Sequence, residues 1–330
     1  MRSKQMAFLL FRSAARRQLP AAMQRPMATT MMHRCMATKA EKIAAFSDGS
    51  QGGNPAGVLI SDSHPTETEM RKVAGEIGFS ETAFVAPFPA ATDDDDDDND
   101  TFRVRYFSPE CEVPFCGHAT IALGAALALR NGDGLFKLVL NDAEITVEGQ
   151  QRKDGVISAA LQSPPTHSQE ATPQSIADAL DLFGYTEDDL DPRIPPARIN
   201  GGSDHFVLAL KSRQALTDMT YDLEAGRDLM NREGVLTFVL VYAETDQKFH
   251  TRNPFASGGV YEDPATGSAT AALGGYLRDI GWPLKDGVID VVQGEDMGVR
   301  SLLRADISPV KGSSVRISGT ARVMREDESS

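Results

Sequence analysis

Cysteine and tryptophan are scarce in this 330-residue chain, which has three of the first and one of the second. Three thiols cannot build a disulfide framework. With Cys35 in a basic leader, only Cys111 and Cys116 remain for the folded part, a usage that fits a reducing compartment and two buried, reduced side chains. A single bridge between those two stays open. Long hydrophobic runs are missing as well: the longest, around Ile121 to Leu129, is far short of the roughly 18 residues a membrane span requires. No Gly-x-Gly-x-x-Gly, Walker loop or His-Glu-x-x-His occurs, and Ser203-Asp204-His205 is merely consecutive. His64, His167, His205 and His250 show no metal-ligand spacing, so no metal and no cofactor is expected.

Acidic side chains are absent from residues 1–40, where eight of the 33 basic ones lie. The rest of the chain therefore holds 25 basic against 47 acidic residues, a charge of −22. A body of that sign repels phosphate backbones, so nucleic acid is not an expected partner and an anionic ligand depends on local donors. The leader has spaced arginines, Ser, Thr, Met and Ala, the composition of a mitochondrial transit peptide and not of a secretory signal. A disordered extension, or an upstream start ahead of Met36, is the plainer alternative. The expected location is cytoplasmic or mitochondrial, not secreted. Residues 93–100, with an unbroken run Asp93 to Asp98, read as a solvated insertion between two apolar strand-like segments. They lack the alternation, glycine and distal Glu of a calcium loop.

What is present is a repeat. Glu112-Val-Pro-Phe-Cys-Gly-His-Ala-Thr-Ile-Ala-Leu-Gly-Ala-Ala-Leu127 aligns without gaps on Glu262-Asp-Pro-Ala-Thr-Gly-Ser-Ala-Thr-Ala-Ala-Leu-Gly-Gly-Tyr-Leu277, with nine of sixteen positions identical. An offset of half the body predicts a duplicated domain, with halves at 41–165 and 166–324, a tail at 325–330 and a last strand that can return to the first half. Cys116 to Arg130 and Thr266 to Arg278 are apolar or small on every side, which predicts two buried helices. Strands are expected around them, at Phe102 to Phe107, Leu135 to Leu140, Glu144 to Val147, Phe206 to Leu210, Val235 to Val241 and Val315 to Ser318. Gly124 and Gly274 would let those strands press closely. Amphipathic stretches at Glu67 to Ile77, Ser175 to Phe183 and Asp222 to Met230 would cover the outside. Two helix N-termini facing one cleft could hold a carboxylate through amides with no intrahelical partner.

Phe107-Ser-Pro, Glu112-Val-Pro-Phe-Cys-Gly-His-Ala-Thr, Gly53-Asn-Pro-Ala-Gly-Val, Phe79-Ser-Glu-Thr-Ala-Phe-Val and Glu262-Asp-Pro-Ala-Thr-Gly-Ser-Ala-Thr resemble the phenazine biosynthesis PhzF-like family. The resemblance spans roughly residues 41 to 324. It implies an α+β, diaminopimelate epimerase-like fold of two pseudo-symmetric halves, each a rolled, mostly antiparallel sheet around a central helix. It also implies that Glu81 is the catalytic acid/base, with His118 and Asp263 supporting it and Gly117, Gly267 and Ser268 binding substrate. From the residues alone, His118 reads as readily as a capping or core histidine, and Asp263 before Pro264 as a helix N-cap. Asn54 and Gly201-Gly-Ser203 read as loop donors or as turn chemistry. The segment Gln293 to Leu303 departs from the family pattern, with Arg300 in place of an expected arginine.

Racemases on this fold use a thiol at each helix start, whereas here those places hold Cys116 and Thr266. The favoured activity is therefore a cofactor-independent isomerase that moves a proton within a small cyclic or unsaturated carboxylate through one carboxyl group, dihydro-hydroxyanthranilate being the family's example. A racemase or epimerase of a small acid, or a non-catalytic metabolite- or protein-binding member, are the alternatives. The expected partner is a small-molecule carboxylate, with no nucleic acid and no membrane; a homodimer is left open.

Overall fold

A computed structural model describes residues 39–88, 100–325 and 328; the leader and the aspartate run, and the readings made of them, lie outside the described residues. The first stretch contains β1 (Glu41–Ala45), β2 (Asn54–Ile60), α1 (Glu67–Ile77), β3 (Thr82–Pro87), β4 (Thr101–Phe107), β5 (Glu112–Val113), α2 (Gly117–Asn131), β6 (Gly134–Val139), β7 (Glu144–Gln151) and β8 (Ile157–Gln162). The second contains β9 (His167–Glu170), α3 (Pro173–Phe183), β10 (Ala197–Asn200), β11 (Asp204–Leu210), α4 (Arg213–Thr217), α5 (Leu223–Glu233), β12 (Thr237–Ala243), β13 (Lys248–Pro254), β14 (Glu262–Asp263), α6 (Gly267–Asp279), β15 (Val288–Gln293), β16 (Ser301–Ile307) and β17 (Val315–Val323). Among the described residues no helix is long and apolar enough to cross a membrane.

Strand pairing repeats as the helices do. In the first stretch β1-β2 is antiparallel, β2-β3 parallel, β3-β4 antiparallel, β4-β6 parallel, and β6-β7-β8 antiparallel. The same succession runs through β10-β11, β11-β12, β12-β13, β13-β15 and β15-β16-β17. β17 also pairs antiparallel with both β8 and β1, which closes β1–β4 and β6–β8 into a barrel, with the short β5 beside β4. The fold is thus mixed α+β with a closed, mostly antiparallel barrel.

Helix α2 is buried continuously from His118 to Ala128, and α6 from Ala269 to Leu277. A helix with no polar face can only sit among strands, and α2 packs on β1, β2, β7, β8 and β17. A Cβ added at Gly124 would stand 2.5 Å from Val147 Cγ2, so this glycine is needed for close approach, while one at Gly274 would stand 3.0 Å from Ile307 Cδ1, a tighter fit that the end of the isoleucine side chain would have to accommodate. On β11, Val207 and Ala209 face the α6 core while Phe206, Leu208 and Leu210 face an outer layer with Ala179, Phe183, Leu229 and Met230 of α3 and α5. Both faces of that strand are buried, which is why its sequence is a continuous apolar run. Helix α1 has the bounds its amphipathic pattern predicts, started by a Thr66–Glu69 capping box and stopped at Gly78 in the left-handed region, φ 76°.

Two local readings are corrected. Asp263 is not the N-cap of α6: it lies on β14 paired with Asn253, and Thr266 takes the cap position. Strand pairing outcompetes the local Asp-Pro cap signal. Cys111 is exposed rather than buried, and both it and the half-buried Cys116 are free thiols.

Candidate active site

The loop between α1 and β3 ends in Ser80-Glu81, one residue before the strand, and the Glu81 carbonyl accepts from the Gly57 amide at 3.1 Å. That bond fixes the backbone from which the carboxylate projects toward the start of α2. There Cys116 caps the helix and Gly117-His118 open it. Glu81 Oε2 lies 3.4 Å from His118 Nε2, and the Cys116 thiol donates to the same oxygen at 3.5 Å. Cys116 Sγ is 3.3 Å from His118 Nδ1, and Ser80 Oγ is 3.4 Å from His118 Nε2.

At the other helix start, Asn54 Nδ2 donates to Asp263 Oδ1 at 2.8 Å and to the Ala265 carbonyl at 3.1 Å, so β2 of the first stretch ties the entry of α6. The Thr266 hydroxyl donates to Asp263 Oδ2. Gln293, almost fully buried at the end of β15, completes the cap: its Nε2 donates to the Asp263 carbonyl at 2.7 Å and to Thr266 Oγ1 at 3.0 Å, and its Oε1 accepts from the Thr266 amide at 3.1 Å. Sequence reading missed Gln293, since a lone Gln ending a strand carries no local signal. Arg300 is engaged by carboxylates, bonded to Asp48 and 3.5 Å from Glu295. Gly201 serves close packing, because a Cβ there would stand 2.5 Å from the Ala272 amide nitrogen in α6.

The two helix starts share one electrostatic environment. Burial pushes the Asp263 carboxyl above the ordinary aspartate range, the His118 charge opposes that rise and the Glu81 charge adds to it. Burial, and then the Glu81 charge, push the Cys116 thiol well above its usual value, with Asp263 adding further. Cys116 is therefore a protonated thiol at neutral pH, in spite of its place at a helix N-terminus. Glu81, Cys116 and His118 bring potential ligand atoms within 4.8 Å of one another, and the thiol is the member a cation would have to deprotonate. Gly117 and Gly267 have no steric need to be glycine: added Cβ atoms would find Phe115 only at 4.0 Å and Phe46 at 3.6 Å. What the missing side chains leave open is access to the first amides of both helices.

Ser268, second residue of α6, is held from behind by a fully buried histidine, with Ser268 Oγ 3.1 Å from His205 Nε2. His205 Nδ1 is 2.8 Å from Thr237 Oγ1, and burial lowers the imidazole's pKa from 6.5 to about 3. Between those two values the unfolded chain binds a proton at this position and the folded chain does not, so His205 makes stability fall on acidification from pH 6.5 toward about 3. Urea unfolding as a function of pH should show His205→Gln losing a slope of up to about 1.4 kcal/mol per pH unit within that window. Parallel profiles for the two proteins would contradict a neutral buried imidazole.

Of the residues singled out from sequence, the structure joins Asn54, Glu81, His118 and Asp263 through direct bonds or mutual charge effects, sets Gly117 and Gly267 at the two helix starts, and gives Ser268 a partner in His205. A family model for phenazine biosynthesis-like proteins, PhzC-PhzF, matches residues 43–327. The trans-2,3-dihydro-3-hydroxyanthranilate isomerase of Pseudomonas aeruginosa is 30% identical over 292 residues, 86% of this chain and 96% of its own. A Bacillus subtilis protein named as an uncharacterised isomerase is 29% identical over 290 residues, 85% of this chain and 94% of its own. The crystal structure of a Bacillus anthracis PhzF-family protein matches with a TM-score of 0.73 at 21% identity, covering 87% of this chain and 96% of the other. A probable proline racemase from Agrobacterium radiobacter matches at 0.54 and 12% identity, covering 86% and 90%. Both structural likenesses concern the fold.

Proposed function

We propose a specific chemistry for this chain, which belongs to the PhzC-PhzF family of phenazine biosynthesis-like proteins and is an isomerase of that family. Glu81 removes a proton alpha or vinylogous to the carboxylate of a small cyclic or unsaturated acid and returns it to a second carbon on the same face. The carboxylate takes up the proton, becomes the acid, and redelivers it, so atoms and charge balance without another reactant. The developing enolate-like charge is spread over the amides at Gly117-His118 and Gly267-Ser268, where the helix dipoles present partial positive charge. Asp263, bound by Asn54 and Thr266, holds the second helix start in register with the first, and His118 stands beside Glu81 to polarise the substrate.

The observation that carries this reading is the inequality of the two helix starts. Cys116 is held protonated by burial and by Glu81, and the Thr266 hydroxyl is committed to Asp263. Neither suits the part of a base on one face of a carbon, which a racemase needs twice; a single carboxylate acting on one face needs only Glu81. The test uses the compound named for the Pseudomonas relative, trans-2,3-dihydro-3-hydroxyanthranilate, deuterated at the migrating position and incubated with the full chain in ordinary water. Product that retains part of its deuterium is expected from uptake and return by one group. Complete washout from the first turnover onward would contradict it.

A further inference from the structure

The two halves differ at one equivalent place. Thr82 and Thr237 open β3 and β12, and directly opposite them in the paired strands stand Gly57 and His205. At the first of these places there is no room for a side chain: a Cβ on Gly57 would lie 2.6 Å from Thr82 Oγ1 and 2.8 Å from Ile77 Cδ1. Thr82 Oγ1 is buried without a hydrogen-bond partner. At the second, His205 fills the space and joins Thr237 to Ser268. The helix residues are exchanged in the opposite sense, since His118 of α2 aligns with Ser268 of α6 in the 150-residue repeat. Each half therefore brings one imidazole to its helix start, in the first from the helix itself and in the second from the strand behind a serine.

We infer that His205, backed by Thr237, is a positioning residue that commits the Ser268 hydroxyl to donating a hydrogen bond to the substrate carboxylate. The inference rests on the carboxylate reading above. A neutral imidazole has one donor and one acceptor nitrogen, and two hydroxyls flank this one, so the chain of bonds can run in only two directions. If Ser268 donated to Nε2, its oxygen would offer lone pairs to an anion. In the other direction Thr237 donates to Nδ1, Nε2–H donates to Ser268 Oγ, and the serine proton is left for the ligand. The second direction matches an anion at the N-terminus of α6. It also answers a need of this site, where the neighbouring carboxylates Glu81 and Asp263 repel an anion and dipolar donors must hold it. Polarisation along the chain strengthens the last bond.

The proton position is observable without any substrate. Nitrogen-15 spectra of the full chain labelled in histidine are expected to show His205 neutral with its hydrogen on Nε2, and Ser268→Ala should move that resonance. A hydrogen on Nδ1, a charged ring at pH 7, or no response to Ser268→Ala overturns the relay. Calorimetry with 3-hydroxyanthranilate, the aromatic counterpart of the relative's substrate, should then give binding about tenfold weaker in His205→Leu. His205→Gln, whose amide N–H can take the place of Nε2–H, should recover most of it. Equal affinity in wild type and His205→Leu overturns the positioning role, and the spectra of the wild type decide the matter if His205→Leu does not fold. The two readings fail separately: full turnover in Glu81→Gln removes the single-carboxylate chemistry and leaves the His205 tautomer untouched.

Discussion

Glu81→Gln is expected to keep ligand binding and to lose turnover by roughly 10³-fold or more, because general acid and base catalysis by one group is removed at both steps. The amide preserves the shape of the side chain and one accepting oxygen for the Cys116 thiol, which lies 3.5 Å from Glu81 Oε2. Cys116→Ala should cost less than about tenfold. Its thiol is held protonated by burial and by the Glu81 charge, and the residue aligned with it in the other half is Thr266, so the change removes a neighbour of the base and not the base. Steady-state kinetics and calorimetry on the two variants separate the cases. Turnover that survives Glu81→Gln and disappears in Cys116→Ala would assign the proton transfer to sulfur and end the carboxylate mechanism.

The largest structural effect is expected at an ion pair that also repeats. In the first half Arg105 Nε donates to Glu112 Oε1 at 2.8 Å and its Nη2 to Oε2, with both side chains 23% exposed. In the second, Arg252 holds Glu262 through Nε at 3.1 Å and Nη2 at 2.6 Å, with exposures of 9% and 3%, and its Nη1 also donates to the carbonyls of Leu216, Thr217 and Met219. Removing one partner of a buried pair leaves an uncompensated charge, so Glu262→Ala should destabilise the fold by about 3–5 kcal/mol. Water can reach the first pair, and Glu112→Ala should cost only about 1 kcal/mol. Replacing both members of the buried pair, Arg252→Met with Glu262→Leu, should recover most of the loss. Urea denaturation gives all three values. Equal costs for Glu112→Ala and Glu262→Ala would mean that burial does not set the worth of these pairs.

The gapless match at 150 residues is legible in the chain because both buried helices are apolar on every side and both begin at a Pro-x-x-Gly turn; no neighbour is needed to read either property. Glu81, His118 and Asp263 are singled out by short motifs that resemble those of the family, and α1 by its amphipathic period. The role of Glu112 and Glu262 is not legible. They are the first identical pair of the repeat, yet what they do depends on arginines that reach them only once β4 and β13 are paired with β5 and β14. Asp263 shows how a local signal misleads, since Asp-Pro reads as a cap until pairing with Asn253 draws it into a strand. Gln293 meets Thr266 across 27 positions, and His205 meets Thr237 across 32 and Ser268 across 63. These are contacts of strand register and barrel closure, in which shifting one strand by one residue would turn His205 to the opposite face. The chain by itself determined the repeat and the two buried helices, and it pointed to Glu81 only through the family resemblance. Only the tertiary structure decided which histidine stands beside Glu81 and which is locked behind the serine, because that depends on where packing leaves room for an imidazole: none at Gly57, and a full side chain's worth at His205.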